Sequence, residues 1–296
     1  MKDIQFENIS TDHLSLQVFA EKNIKADVLR LDKMHPVISG NKWFKLRYYL
    51  DEAKQLNKKR IVTFGGAWSN HIVATAATCK LYRFKSAGII RGEMPAKLST
   101  TLKQAKELGM ELHFISRGDY KRKLIPEKLM KDDSYLITEG GYGIKGAEGA
   151  ATILDYCEKS EYTHICCACG TGTMVAGIMK GKDLVTKVIA VSVLKNNPGV
   201  EENIRSLLQN GENSLTVIHD YHCGGYAKHS PALLNFMNEF YKETTIPSDF
   251  VYTGKLFYCI NDLVGKSFFK PRSNLLLIHS GGLQGNSSLC KGTLIF

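Results

Sequence analysis

Alternating apolar and helical runs predict an α/β protein, a parallel sheet covered by helices on both faces. Three observations carry this reading. Short apolar runs end in glycines, each such ending is followed by a run with helical spacing, and the order recurs along the chain. In such folds ligands collect at the carboxyl ends of the strands.

The run "RIVTFGG" reads as a strand and turn, and "HIVATAATCKLY" after it keeps Ile72, Ala76 and Cys79 on one helical face. "SAGII" then precedes the helical "LSTTLKQAKELG", and "YTHICCACGTGT" precedes "MVAGIMKGK". "KVIAVSV" and "NLLLIHSGG" are further strands that stop at loops. Neither a tandem repeat nor a low-complexity linker marks a domain boundary.

Composition narrows the function classes. Hydrophobic content of 44% and charged content of 23% over 296 residues suit a globular chain with a sizeable core. The net charge of +10 raises the question of a nucleic-acid partner. Its basic residues are scattered, however, and the runs Lys58-Lys59-Arg60 and Lys121-Arg122-Lys123 lack interleaved aromatics, so they read as solvated faces. The N-terminal "MKDIQFENIS" has no signal-peptide character, and no stretch approaches the ~18 apolar residues of a membrane span. A cytoplasmic protein that binds neither nucleic acid nor membrane is expected. Its eight cysteines are then reduced thiols. Cys166 and Cys169 form a lone C-x-x-C inside an apolar run, which suits buried small hydrophobes better than a zinc site, so no metal is expected.

Three glycine-bearing loops stand out. In "CGTGTMVAG", Gly170, Thr171, Gly172 and Thr173 lie between a strand and a helix, where backbone N–H groups, hydroxyls and the helix dipole suit a phosphate. A tight-packing turn would use the same glycines. A dinucleotide fingerprint needs glycine at 175, where Val175 stands, and a P-loop needs lysine where Met174 stands. In "GGAWSNH", Ser69 and Asn70 taken alone are better explained by capping of the next helix. In "IHSGGLQG", Ser280 stands between a histidine and two glycines.

The stretch "VISGNKWFKLRYYL" adds a lysine. Leu46, Tyr49, Leu50, Ala53 and Leu56 keep helical spacing, and Asn41 is the expected N-cap. Lys42 then lies in the first turn, where the helix dipole disfavours a protonated amine and lowers its pKa, as suits a Schiff-base nucleophile. A plain surface lysine is the default when this stretch is read alone, and only the other motifs overturn it. A lysine, a phosphate cup and a strand-end hydroxyl together are what pyridoxal phosphate requires.

With "SGNKWFKL", "GGAWSNH", "CGTGT", "GGYAK", "VYTGK" and "HSGG" in matching order, from about Leu29 to Gly285, the chain resembles a known family. This is the 1-aminocyclopropane-1-carboxylate deaminase and D-cysteine desulfhydrase family of fold-type II pyridoxal-phosphate enzymes. The resemblance implies a tryptophan synthase β-like fold, two open twisted, mostly parallel sheets flanked by helices. It implies a small domain, residues 46–136, inserted in a large one of residues 1–45 and 137–296, and a homodimer. It also implies that Lys42 holds the cofactor as a Schiff base, that Asn70 bonds its ring hydroxyl and that Gly170, Thr171, Gly172 and Thr173 hold its phosphate. Ser69, Asn70, His71, Tyr226 and Tyr252 would face a small amino-acid substrate, with Ser69, Tyr226 and Tyr252 positioning it or relaying protons, and Ser280 would contact the pyridine nitrogen of the cofactor. Within the family, deaminases resemble Tyr-Glu at the "VYTGK" position, whereas desulfhydrases resemble Tyr-Thr with a hydroxyl before the final glycines. Thr253 and Ser280 point to the second branch, as does His71 where deaminases usually have glutamine. The activity implied is β-elimination from D-cysteine, Lys42 taking the Cα proton, to give pyruvate, ammonia and sulfide. Deamination of the cyclopropane amino acid is the alternative within the family. A nucleotide-binding dehydrogenase, or a cofactor-binding protein without turnover, are the alternatives outside it.

Overall fold

Two sheets share the strands of this computed structural model, which describes residues 3–208 and 214–296. The strands are β1 (Thr11–His13), β2 (Lys25–Arg30), β3 (Arg60–Gly65), β4 (Lys85–Arg91), β5 (Met110–Ile115), β6 (Ser134–Ile137), β7 (His164–Cys169), β8 (Lys187–Ser192), β9 (Leu215–Ile218) and β10 (Asn274–His279). Around them lie α1 (Gln17–Glu21), α2 (Asn41–Gln55), α3 (Asn70–Leu81), α4 (Thr100–Glu107), α5 (Arg117–Lys121), α6 (Ile144–Ala151), α7 (Thr173–Gly181), α8 (Val200–Arg205), α9 (Pro231–Thr244) and α10 (Thr253–Gly265).

One sheet has the order β1-β2-β10-β7-β8-β9, and the other β5-β4-β3-β6. Strand β1 runs antiparallel to β2, and the remaining pairings are parallel. The central strands are apolar throughout because both of their faces are covered. In β7, for example, Ile165 to Cys169 are all buried. After β2 the chain enters the four-stranded sheet through α2, and after β6 it returns through α6.

Small residues draw α2, α6 and α7 together. A Cβ on Gly149 of α6 would lie 1.9 Å from the Phe44 carbonyl oxygen of α2, and one on Gly177 of α7 would lie 2.5 Å from the Ala150 Cβ. Contacts this close admit only glycine, and they join the largest apolar cluster, which includes Phe44, Leu46, Ala147, Ala150, Val175 and Ile178. The consequence for function is that the N-termini of α2 and α7 are fixed relative to each other. No described helix is long and apolar enough to cross a membrane.

The start of α2 differs from the sequence expectation. Asn41 is the first helical residue, and Gly40 takes the cap position with φ 64° and no side-chain cap bond. The Asn41 N–H is satisfied by the Ser280 carbonyl at 3.2 Å instead. Position 40 needs a positive φ and close approach to Ser280, so a side-chain cap has no room there and the cap bond comes from the opposite loop.

Candidate active site

Lys42 is partly buried in the first turn of α2, its Nζ donating to Asn41 Oδ1 at 2.6 Å and lying 5.6 Å from the centre of the Tyr252 ring. Burial lowers its pKa from 10.5 to about 8, against the opposing pull of the Asp249 carboxylate. The lowered basicity expected from the sequence is present, but burial is its main cause rather than the helix dipole. In protein freed of cofactor, acylation of Lys42 is therefore expected to rise with pH about a midpoint near 8 rather than 10.5. Mass mapping of the modified peptide measures it, and a midpoint above 10 would contradict this environment.

The "GGAWSNH" loop joins β3 to α3. Ser69 does cap α3, its Oγ accepting from the Ile72 N–H at 3.4 Å. Asn70 is buried, and its Oδ1 has no hydrogen-bond partner. His71 can be assigned a tautomer from its neighbours. The Thr63 hydroxyl donates to the Ile137 carbonyl at 2.8 Å, so at 2.8 Å from His71 Nε2 it must accept, which puts the proton on Nε2. Nδ1 is left as a buried acceptor without a partner. Burial first, and then the charges of Lys45 and Lys42, hold the His71 pKa well below 6.5, so the ring stays neutral.

The phosphate-cup residues lie at the end of β7 and the start of α7. Gly172 has φ 88° and caps the helix, and the hydroxyls of Thr171 and Thr173 are 3.0 Å apart. A Cβ on Gly170 would meet the Tyr252 ring at 3.3 Å, so the cup adjoins the tyrosine that Lys42 faces. Tyr226 stands edge-on to Tyr252 with ring centres 6.1 Å apart. The Tyr252 pKa is pushed well above 10 by burial and then by Tyr226, so its hydroxyl remains protonated at neutral pH.

Thr253 is fully buried and donates to Asp249 Oδ1 at 2.8 Å. Asp249 also accepts the N–H groups of Val251, Tyr252 and Thr253, which fixes the start of α10. Ser280 is buried in the loop that caps α2. Behind that loop His279 bridges the Pro247 carbonyl at 2.7 Å and Asp32 at 3.2 Å, and Arg30 holds Asp32 from its other side at 2.7 Å.

The structure thus brings Lys42, Asn70, His71, Gly170 to Thr173, Tyr226, Tyr252 and Ser280 to one end of the two sheets. Sequence reasoning missed Lys45 and Asp249. Lys45 is buried one turn after Lys42, its pKa lowered far below 10.5 by burial and then by the Lys42 charge, while Cys169 at the edge of the cup opposes this. Its i, i+3 spacing from Lys42 was a usable signal. Asp249 gave none beyond its place four residues before Thr253. Lys255, also fully buried, donates to the Gly225 carbonyl at 2.8 Å and so ties the Tyr226 loop to α10.

These residues fit pyridoxal phosphate. A depressed-pKa amine suits its aldehyde, the orphaned Asn70 Oδ1 suits its ring hydroxyl, and the glycine-threonine turn with Lys45 behind it suits its dianionic phosphate.

The profile of the family described as "Pyridoxal-phosphate dependent enzyme" matches residues 9–281. A bifunctional D-cysteine desulfhydrase/1-aminocyclopropane-1-carboxylate deaminase from Arabidopsis thaliana is 29% identical, covering 84% of this chain and 70% of its own length. A Thermotoga maritima protein provisionally named as a 1-aminocyclopropane-1-carboxylate deaminase is 31% identical, covering 87% of this chain and 88% of its own. The crystal structure of a deaminase homologue superposes with a TM-score of 0.81 at 23% identity, over 94% of this chain and 90% of that one, and shows the same fold. Geometry that fits the cofactor and a match over nearly the whole chain lead to one assignment: this chain belongs to the pyridoxal-phosphate dependent enzymes.

Proposed function

We propose that this enzyme eliminates the β-substituent of a small amino acid, with D-cysteine as substrate and pyruvate, ammonia and sulfide as products. One observation carries the choice of branch. Where deaminases of the family place a glutamate, this chain has a Thr253 hydroxyl locked into the cap of α10, and the nearby Asp249 is committed to three backbone N–H groups. A neutral Ser280 at the end of β10 is then the partner available to a pyridine nitrogen. A hydroxyl does not hold that nitrogen protonated as a carboxylate does, which disfavours opening a cyclopropane more than expelling a thiol.

Bound pyridoxal phosphate supplies the electron sink that makes the Cα–H bond acidic. The protein's residues supply the rest. Lys42 Nζ, poorly basic for a lysine and facing Tyr252, takes the Cα proton. The hydroxyls of Ser69, Tyr226 and Tyr252 position the substrate and return protons to it. The neutral His71 offers Nδ1 as an acceptor, and Asn70 fixes the ring of the cofactor. Gly170 to Thr173 would hold the phosphate, and a protonated Lys45 near the cup would offset its charge.

The test compares pyruvate formed from D-cysteine with 2-oxobutanoate formed from 1-aminocyclopropane-1-carboxylate. At least tenfold higher kcat/KM for D-cysteine is expected, and preference for the cyclopropane substrate would reverse the assignment. The name of the Thermotoga relative favours that second reading, whereas the plant relative is named for both activities. The same proposal includes a cytoplasmic homodimer and a small domain of residues 46–136. The confinement of the four-stranded sheet to residues between Arg60 and Ile137 supports the latter.

A further inference from the structure

The peptide unit that joins Ser280 to Gly281 is held at both of its polar ends. Its carbonyl, on Ser280, accepts the Asn41 N–H at 3.2 Å, and its N–H, on Gly281, donates to His279 Nδ1 at 3.3 Å. Beyond the first of these bonds, Asn41 Oδ1 accepts from Lys42 Nζ at 2.6 Å. A continuous chain therefore runs from the His279 ring through one peptide and Asn41 to the amine. That peptide has little room to shift. Gly281 has φ 74°, and a Cβ there would lie 2.5 Å from Ser39 Oγ and 2.9 Å from the Gly40 nitrogen, where the chain enters α2.

The His279 ring is fully buried, its centre 5.9 Å from that of Phe257. Its Nε2 lies 2.7 Å from the Pro247 carbonyl, which can only accept, so Nε2 carries the proton. Nδ1 is then the acceptor that the Gly281 N–H requires. Asp32 competes for the same place, with Oδ1 3.2 Å from Nδ1. A proton on Nδ1 would pair with that carboxylate and leave the Gly281 N–H without its acceptor. Arg30 counters this by gripping both Asp32 oxygens, Nε to Oδ1 at 2.9 Å and Nη2 to Oδ2 at 2.7 Å, so the carboxylate charge is met without the ring.

We propose that His279 is a positioning residue for the reaction, its unprotonated Nδ1 holding the Ser280–Gly281 peptide so that Ser280 and Lys42 keep one fixed alignment. This rests on Lys42 as the reactive amine and not on which amino acid is turned over. The imidazole itself touches neither cofactor nor substrate. It acts on the site through the peptide it holds, and the Asp32–Arg30 pair acts one step further back by leaving Nδ1 free to accept.

Two substitutions separate the two ring nitrogens. In His279→Asn the amide oxygen takes the place of Nδ1 and can accept the Gly281 N–H, while the bond to Pro247 is lost. In His279→Gln the amide nitrogen takes the place of Nε2 and can donate to Pro247, while the Gly281 N–H loses its acceptor. Each variant leaves one buried backbone group unpaired and removes the ring from Phe257, so a purely structural role predicts equal effects. With cofactor-loaded enzyme and D-cysteine, kcat is expected to fall about 10²-fold in His279→Gln, the scale of a ~1 Å misplacement, and to be rescued at least tenfold from that level in His279→Asn. In cofactor-free protein the midpoint of Lys42 acylation should stay near 8 in His279→Asn and rise in His279→Gln, where the loosened turn admits water. Equal effects in the two variants, or a loss confined to His279→Asn, overturn the proposal. If the wild type releases no pyruvate, the β-elimination reading falls and the acylation midpoints alone decide the part played by His279. If neither variant folds, ¹⁵N NMR of wild type labelled at histidine decides it. An unprotonated Nδ1 coupled to the Gly281 N–H upholds the proposal, and a protonated Nδ1 overturns it.

Discussion

Lys42→Ala is expected to reduce pyruvate release from D-cysteine by at least about 10³-fold, the scale on which a single well-placed proton-transfer group contributes to rate. No other described residue can stand in for it. Lys45 lies one turn further along α2, toward Cys169 and the cup, whereas Lys42 Nζ faces the Tyr252 ring. The two lysines therefore separate by readout. Lys45→Ala should weaken retention of the cofactor, and Lys42→Ala should abolish turnover even when cofactor is supplied in excess. Borohydride treatment of the loaded wild type should fix the cofactor on the peptide that contains Lys42 and leave the variant unmodified. Fixation on Lys45, or residual turnover within tenfold of wild type, would remove Lys42 from its role.

Gly40→Ala should destabilise the protein by roughly 2–5 kcal/mol, combining the strain of a left-handed residue with that of overpacking. The added Cβ would lie 1.8 Å from the Ser280 carbonyl oxygen and 2.5 Å from the Gly281 nitrogen, both rigid backbone. Gly92→Ala is the matched control, since Gly92 also has a positive φ, 99°, but nothing within 4 Å of a Cβ. It should lose only about 1–2 kcal/mol. Equal shifts of the two denaturation midpoints would show that the contact with the Ser280 loop is not constraining. The Gly40 variant should also lose activity beyond its loss of stability, because the same contact aligns Lys42 with Ser280.

Much of the parallel architecture was legible because buried parallel strands are written as unbroken apolar runs. The runs containing β3, β4, β7, β8 and β10 could be read directly, as could the helices that follow the first three. The cap of α2 could not be read. Asn41 is a good capping residue by type, and only the arrival of Ser280, 239 residues away in sequence, gives the position to Gly40. The motif residues were found from local pattern and family resemblance, but their electrostatics were not. The pKa of Lys42 depends chiefly on burial, and the tautomer of His71 on a threonine of β3 that bonds to β6. Asp249 carries no local signal because it lies just outside the VYTGK motif and acts by receiving that motif's backbone N–H groups and the Thr253 hydroxyl.

The strand that leads into the cofactor cup is also a row of sulfur atoms. Burial raises the pKa of Cys166 and Cys167 and pushes that of Cys169 up to about 12, so all three remain thiols at neutral pH. Thiolates, not thiols, exchange sulfur and are oxidised. Oxidants and electrophiles that reach the cup therefore find poor nucleophiles there. Such damage should fall instead on Cys290, which is exposed and far along the chain from the cup.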